Sequence, residues 1–259
     1  MPAPDLTFLY GESVPRCTHV IDKVFAGYQT LQYMTAGGVE LAVGAQAYRL
    51  EGPWFWSAYP GPRIRFSACG QQRFWRHRYI AFRGARVQRW ADDGLFPIDP
   101  QRPPGMRDYG EAFDELLRHA TGGDRYGALR ATHLLESILI QLAEDRQQAQ
   151  SRPAWLKKAI GRLDDAARGE AVDYDAVAAE LDMAQSTLRR RFRAAVGLPP
   201  HEYVLQARVA TARRLLGETN LPIKTIAQQL GYNDVYFFSR QFRKLAGVPP
   251  AMYRKSRQG

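Results

Sequence analysis

A short basic segment occurs twice in the last third of the chain, from Leu188 to Pro200 and, fifty residues later, from Phe238 to Pro250. Each copy sets arginines between apolar residues that recur every three or four positions, and each ends in Gly-x-Pro-Pro. Such a segment forms a helix with one apolar face and one row of hydrogen-bond donors. Arginine pairs bidentately with guanine and glutamine with adenine, so these residues could recognise base edges in a DNA groove.

Helical periodicity separates the two faces of each copy. Leu188, Phe192 and Val196 are expected to face inward in the first copy, and Phe238, Phe242 and Leu245 in the second. The outward residues, which are the candidate DNA contacts, are Gln185, Ser186, Arg189, Arg190 and Arg193 in the first copy and Tyr236, Ser239, Arg240, Arg243 and Lys244 in the second. A plain solvated face would have a similar composition, but two copies in matching context favour recognition.

The aromatic residues and the remaining cations of this region are not predicted to recognise bases, with Tyr236 left open. Phe237 is expected in the core with Phe238 and Phe242, because base stacking serves single strands, and Tyr236 is open to either role. The remaining cations are interpreted as phosphate contacts or plain surface: Arg208, Arg213, Arg214, Arg254 and Lys255.

The elements that must position the two basic helices are short and also repeated. An apolar-periodic segment precedes each copy, Val177–Leu181 and Ile226–Leu230, and a tight break follows it, at Asp182-Met183 and Gly231-Tyr232. This layout predicts a helix-turn-helix, twice. The flanking predictions are a first helix from Trp155 to Arg168 ended by Gly169, an N-cap at Asp173, a connecting helix from His201 to Leu216 closed by Gly217, and a helix started by Pro222.

The charge distribution agrees with this layout. Residues 151–259 carry 19 Lys and Arg against 10 Asp and Glu, a net +9, whereas residues 1–150 carry 17 against 16. A basic surplus in the part with the repeat is what phosphate binding requires. We expect a cytoplasmic protein, since no apolar run reaches membrane-spanning length and the first residues lack the layout of a signal peptide.

The first half of the chain has a β pattern. Short runs rich in aromatic and β-branched residues are separated by turn residues such as Gly37-Gly38, Gly44, Gly52-Pro53 and Pro60-Gly61-Pro62, which suggests a small barrel or sandwich. The expected strands are Leu31–Met34, Val39–Val43, Ala47–Leu50, Trp54–Trp56, Arg63–Phe66 and Trp75–Phe82.

A helical period follows the proline-rich stretch from Pro97 to Pro104. Helices are expected at Tyr109–His119 and Arg125–Gln148, and the second has a stripe of Leu134, Leu135, Ile138, Leu139 and Leu142. The stripe could pack on the domain's own sheet or on a second copy of the chain. With Gln147–Pro153 as linker, we predict an α+β protein with domains at 1–150 and 154–259, the second all-α.

The C-terminal residues carry a family resemblance. The string Ala212, Leu215, Leu216, Ile223, Ile226-Ala227, Gly231-Tyr232, Phe238, Phe242-Arg-Lys244, Gly247, Pro249-Pro250 and Tyr253-Arg254 resembles the signature of the AraC/XylS family of bacterial transcription regulators. The resemblance implies two helix-turn-helix units, joined by a long helix, that enter adjacent major grooves of promoter DNA. The base-reading positions it implies are Gln185, Ser186, Arg189 and Arg190 in the first unit and Val235, Tyr236, Ser239 and Arg240 in the second.

One position departs from the family pattern. Ala184 stands where the first recognition helix more often has a capping Ser or Asn, and the missing cap costs about 1 kcal/mol. The second unit keeps Asp234 as a cap.

The β-rich part is similar, with fewer shared features, to the cupin-like effector-binding domain of such regulators, and the helices at 109–148 to its dimerisation helices. That likeness implies a small-molecule effector, with a carbohydrate favoured, a homodimer through helix 125–148, and activation more often than repression, with RNA polymerase as a further partner. Aromatic residues suit a sugar's apolar face, although they also fill cores. The candidate effector residues are Tyr33, Trp54, Trp56, Tyr59, Arg63, Trp75 and His77.

Catalysis, a cofactor and a metal site are not expected. The five histidines are scattered, and the sequence contains no phosphate loop and no nucleophile elbow. Two further hypotheses stay open: a DNA-binding protein whose first domain only dimerises or binds protein partners, and an enzyme fused to a DNA reader, with Cys17 or Cys69 as its reactive group.

Overall fold

The computed structural model describes residues 5–70, 73–104, 107–124, 126–169 and 171–258, which divide into two compact units. The first unit comprises residues up to 103 together with 109–148, and the second comprises 104–108 together with 149 onward. None of the helices within the described ranges is long and apolar enough to cross a membrane.

Strands and three helices make up the first unit. The strands are β1 (Thr7–Cys17), β2 (Ile21–Val24), β3 (Gln29–Val43), β4 (Gln46–Glu51), β5 (Trp54–Ala58), β6 (Arg63–Ala68) and β7 (Trp75–Arg83). The helices are α1 (Ala85–Asp92), α2 (Gly110–Thr121) and α3 (Gly127–Ser151). All the strand pairs are antiparallel, in the order β1-β7-β3-β6-β2, with β4 and β5 also paired to β3.

Strand β3 is the centre of this sheet. Its first part pairs with β5 and β7 and its second part with β4 and β6. The prediction that Gly37-Gly38 separates two strands was wrong, because the two glycines lie within β3. Gly37 has φ +86°, and a side chain there would collide with the carbonyl oxygen of Phe74. The glycines therefore allow one strand to change partners without a break.

Alternate residues of the sheet enter two separate cores. An outer cluster packs Leu31, Tyr33, Phe55, Ile80 and Phe82 against the helices. An inner cluster holds Met34, Leu41, Trp56, Phe66 and Trp75. Leu135, Ile138, Leu139 and Leu142 of α3 are buried in the outer cluster, so most of the apolar stripe packs on its own sheet.

Some predicted boundaries were wrong. Strands β1 and β2 and helix α1 were not expected, and α3 continues through most of the predicted linker to Ser151. The expected start of α3, Arg125, lies outside the described residues.

The second unit is helical. Its elements are α4 (Ala154–Ala166), α5 (Tyr174–Ala179), α6 (Gln185–Val196), α7 (Pro200–Glu218), α8 (Ile223–Gln229), α9 (Val235–Ala246) and α10 (Pro250–Gln258). Helix α7 does not end at Gly217 as predicted, since it continues through Glu218, and Gly169 lies beyond the end of α4 rather than closing it. Pro222 is the residue before α8.

Two cores, one at each end of α7, organise these helices. Tyr203, Val204 and Ala207 pack with α4, α5 and α6, whereas Val209, Ala212 and Leu216 pack with α8 and α9. A single long helix thus supplies one wall of each core.

Candidate DNA interface and inner sheet face

The two turns before the basic helices have the same backbone form. Asp182 and Gly231 both adopt left-handed φ values, 53° and 77°. In each turn the next amide closes back on the preceding helix: Met183 N donates to Ala178 O at 3.1 Å, and Tyr232 N to Ala227 O at 2.9 Å. The predicted repeat is therefore a repeat of structure, with α5–α6 and α8–α9 as its two copies.

Helices α6 and α9 bury the predicted faces. Leu188, Phe192, Phe238 and Phe242 are at most 1% exposed, and Val196 and Leu245 pack beside them, which confirms the expected inward sets. The first predicted contact set, Gln185, Ser186, Arg189, Arg190 and Arg193, is fully on the surface. In the second set Tyr236, Arg240 and Arg243 are exposed, and Val235 and Ser239 are half-buried.

The two exposed rows occupy equivalent positions, fifty residues apart, but carry different groups. Arg190 and Arg193 correspond to Arg240 and Arg243, whereas Arg189 corresponds to Ser239. The Ser239 hydroxyl donates to the carbonyl oxygen of Val235 at 2.8 Å, so its oxygen is left to accept from a partner. The two helices therefore present the same frame with different hydrogen-bonding chemistry.

Neighbouring side chains separate this row from the rest of each helix. Arg191 lies over the Trp155 ring at 4.7 Å, on the side of α6 that faces α4. Phe237, predicted to be core, is 45% exposed, and the Arg240 guanidinium lies 5.8 Å from its ring. The prediction failed because the apolar residue occupies the rim of the helix, one position before the buried face.

Arginines outside the two rows stabilise the fold. Arg213 donates to Leu245 O at 3.0 Å and Arg254 to Leu221 O at 2.5 Å, both from half-buried positions. Arg208 donates to Ala166 O at 3.3 Å, and Arg214 lies 3.8 Å from Glu218. These carbonyls and this carboxylate give the arginines a third role, beyond the phosphate contact and the plain surface expected. Lys255 is exposed.

The recognition helices differ at their N-termini. Asp234 accepts from the amides of Tyr236 and Phe237, at 2.8 and 3.1 Å, and Asp173 caps α5 in the same way, as predicted. Ala184 has the extended backbone of an N-cap, φ −70° and ψ 150°, without a side chain that can accept. A small cleft of about 140 Å³ lies beside this end, lined by Tyr174, Gln185, Leu188, Arg189, Pro200 and His201.

The inner face of the sheet collects part of the predicted effector set. Trp56 and Trp75 are fully buried there, and the His77 ring centroid lies 6.4 and 5.5 Å from theirs. His77 Nδ1 is 3.0 Å from Gln32 Oε1, and Gln32 Nε2 donates to Thr30 at 3.1 Å. The indole N–H groups of Trp56 and Trp75 have no hydrogen-bond partner in the described part of the chain.

The other predicted effector residues are dispersed. Trp54 is half-buried at the edge of the inner cluster, and Tyr59 contacts both clusters. Tyr33 lies on the opposite face, stacked on Phe55 at 4.4 Å. Arg63 is exposed and forms two hydrogen bonds with Asp22, at 2.7 and 3.1 Å.

Sequence reasoning missed the tyrosines that lie next to His77. Tyr79 stacks on His77 at 5.5 Å, and Tyr10 lies 6.1 Å from both Tyr79 and Tyr28. Burial, with a hydrogen bond to Tyr28, raises the pKa of Tyr10. Alternation from Trp75 through His77 to Tyr79 was a usable signal for one face, but Tyr10 belongs to a strand that was not expected.

Two helix-turn-helix units with exposed basic rows define the class: a DNA-binding protein of the helix-turn-helix type. The comparisons agree. A family profile described as "Helix-turn-helix domain" matches residues 177–256. The Arabinose operon regulatory protein of Escherichia coli (strain K12) is 27% identical over 75% of this chain and 69% of its own length. An uncharacterized HTH-type transcriptional regulator of Bacillus subtilis (strain 168), YisR, is 26% identical over 96% of this chain and 90% of its own.

A third relative is the HTH-type transcriptional activator RhaR of Salmonella dublin, 28% identical over 58% of this chain and 55% of its own length. Together with the helix-turn-helix match, these similarities indicate a DNA-binding transcription regulator with a helix-turn-helix domain. The relatives are described as regulators rather than enzymes, and the described residues contain no group of three or more His, Cys, Asp or Glu side chains that could hold a metal.

The unequal caps give a stability prediction. Ala184→Ser places an acceptor at the uncapped end of α6 and is expected to raise the free energy of unfolding by about 0.5 to 1 kcal/mol. Asp234→Ala, the matched change in α9, is expected to lower it by about 1 kcal/mol. Urea denaturation of the full chain measures both, and a destabilised Ala184→Ser protein would contradict the assigned cap position.

His77 gives a pH prediction. Burial, with the neighbouring His19 charge, lowers the pKa of His77 to about 4. The unfolded chain binds this proton near pH 6.5, so the stabilising effect of a neutral His77 is present above that pH and is lost as the pH falls toward 4. Between pH 7 and pH 5 the loss is about 2 kcal/mol. Denaturation at both pH values should show that loss in the wild type and not in His77→Gln; equal losses would contradict the buried neutral imidazole.

Proposed function

We propose that the chain is a sequence-specific transcription activator that binds promoter DNA through α6 and α9 and is controlled by a small carbohydrate-like effector. The observation that carries the DNA-binding part is the pair of equivalent exposed rows on two helices of identical frame. Activation is supported by the description of RhaR as a transcriptional activator, and a sugar effector by the description of the Escherichia coli relative as the Arabinose operon regulatory protein.

In this proposal the two rows read different bases. Gln185, Arg189 and Arg190 supply bidentate donors suited to adenine and guanine edges from α6. From α9, Arg240 supplies such a fork, Tyr236 offers a ring that is 76% exposed, and Ser239 offers an acceptor. Ser186, Arg193, Val235 and Arg243 complete the proposed contact set, in which Arg193 and Arg243 are assigned to the backbone phosphates.

The inner sheet face is the proposed effector site. A sugar requires an aromatic surface for its apolar face and several donors for its hydroxyls. Trp56, Trp75 and His77 supply rings, and the two unpaired indole N–H groups and Gln32 supply polar atoms. Tyr79 and the exposed Tyr10 lie beside these rings. Tyr33 and Arg63 are left out of this site, since one is on the other face and the other is paired with Asp22.

Strand β3 offers a route from this site to the helices. Gln32 and Met34 lie on the inner face. Leu31 and Tyr33, which alternate with them along β3, pack in the outer cluster with α2 and α3. An effector that binds one arrangement of β3 more tightly shifts the population toward it, by no more than its difference in affinity.

A homodimer is the second candidate function of the first unit. Leu129 and Ile140 of α3 are 69% and 45% exposed, although their helix buries its other face. Exposed apolar side chains on one helix are suited to a partner helix. In this role the first unit assembles two chains on DNA without an effector. RNA polymerase as the target of activation and a cytoplasmic location belong to the same proposal.

Arg240 tests the DNA proposal. Arg240→Ala is expected to weaken binding to a selected duplex by about 1 to 3 kcal/mol and to relax the base preference at one position. Arg191→Ala is the matched control, because it removes the same charge from a side chain that packs on Trp155. Fluorescence anisotropy on the selected duplex and its single-base variants measures both. Equal weakening on every duplex would reduce Arg240 to a phosphate contact.

A sugar panel tests the effector proposal. A ligand present at 100 times its dissociation constant should stabilise the full chain by about 2.7 kcal/mol in a thermal melt. Trp56→Phe, which keeps a ring but loses the indole N–H, should reduce that shift; Trp90→Phe, in the outer cluster, should retain it. If no sugar or sugar acid shifts the melt while sedimentation shows a dimer, the dimerisation role replaces effector control.

A further inference from the structure

The segment between α4 and α5 touches the second helix-turn-helix at a pair of glycines. Gly169, three residues past α4, has φ +131°, and a side chain there would collide with the carbonyl oxygen of Gln229, the last residue of α8. Gly231, in the turn between α8 and α9, has φ +77°, and a Cβ there would lie 2.8 Å from Gly169 O. The backbone between α4 and α5 is thus in direct contact with the turn between α8 and α9.

Arg208 bridges the same junction. It projects from the middle of α7, and its Nη2 donates to Ala166 O at 3.3 Å, at the end of α4. Its guanidinium lies 5.5 Å from the ring of Tyr232, in the turn between α8 and α9. A Cβ built on Gly231 would be 3.3 Å from Arg208 Nη2, so the guanidinium lies beside Gly231. The Arg208 side chain therefore connects the C-terminal end of α4 to the turn between α8 and α9.

The junction continues into the recognition helix. Tyr232 packs on Phe238 of α9 with ring centroids 5.2 Å apart, and Phe238 is fully buried. A displacement of the turn would therefore move α9. On the other side, α4 packs in one core with Leu188 and Phe192 of α6. Both recognition helices are linked to the junction by buried contacts.

We propose that Gly169, Gly231 and Arg208 form a clasp that fixes the spacing and rotation between α6 and α9, and so the distance between the two DNA half-sites that the chain accepts. The three are positioning residues, because they act through the helices and touch no base. The proposal rests on the proposed DNA reading by both helices. Without the clasp, α7 alone would set the relation between the two cores.

The test begins with a duplex selected from a random library by the wild-type full chain. Binding is measured on that duplex, on one with a base pair inserted between the half-sites, and on one with the second half-site scrambled. The insertion moves the second half-site by about 3.4 Å and rotates it by about 35°. For the wild type, we expect the insertion to weaken binding at least about tenfold, nearly as much as scrambling does.

Two variants open the clasp in different ways. Gly169→Ala introduces the collision with Gln229, and Arg208→Met keeps an unbranched stem while removing the guanidinium. For both variants, the inserted base pair should weaken binding by less than about threefold. The scrambled duplex, which only α5–α6 can read, should be bound with the same affinity as by the wild type. Gly161→Ala is the control, because a Cβ at that position of α4 meets nothing within 4 Å. Circular dichroism melts confirm that each variant is folded.

A distance measurement separates the clasp from DNA reading. Spin labels at Arg193→Cys and Arg243→Cys, two equivalent exposed positions, should give a narrow distance distribution in the parent and a broader one when the clasp is opened; label uptake by the buried Cys17 and Cys69 is measured on the parent chain. Folded variants that keep the narrow distribution and the full insertion penalty would overturn the clasp. A wild type that selects no bipartite duplex would refute two-helix reading instead, and the distance distributions would still decide the clasp.

Discussion

The second unit depends on one helix being shared between two cores. Helix α7 places Tyr203, Val204 and Ala207 in the first core and Val209, Ala212 and Leu216 in the second. Each helix-turn-helix is short, and units of this size bury a smaller fraction of their surface than larger domains do, so each is expected to need apolar surface from a neighbouring element. Sharing a rigid helix lets each unit complete its core, and it also makes their relative placement a property of the packing rather than of a linker.

The first unit solves a similar problem with a strand. β3 pairs with four other strands, and its alternate residues fill the outer and inner clusters. Because the side-chain period of a strand is two, a shift of β3 by one residue would exchange both clusters at once. Gln32 and Met34 of the inner face therefore share one backbone with Leu31 and Tyr33 of the outer cluster.

The sequence predicted what depends on local periodicity. The inward faces of α6 and α9 and the caps at Asp173 and Asp234 follow from spacing within a few residues, and the structure confirms them. The failures depend on distant partners. Gly37 was predicted to lie in a turn, because its contact with Phe74 is not visible in the local sequence. Arg213 and Arg254 were predicted to be phosphate contacts or plain surface, because their carbonyl partners are 32 and 33 residues away. Phe237 was predicted to be buried because its apolar side chain adjoins Phe238, and the sequence does not show that no neighbouring element covers that side of α9. The choice of DNA contacts within the exposed rows is a prediction still.

The repeated units also impose a direction. Their frames are equivalent, but Arg189 has Ser239 as its counterpart, and Ser186 has Tyr236. Two units with different residues at equivalent positions do not have the symmetry of a palindrome. A duplex read by both helices would therefore be read from one end to the other in a single sense. Such a chain would distinguish the two directions along a duplex.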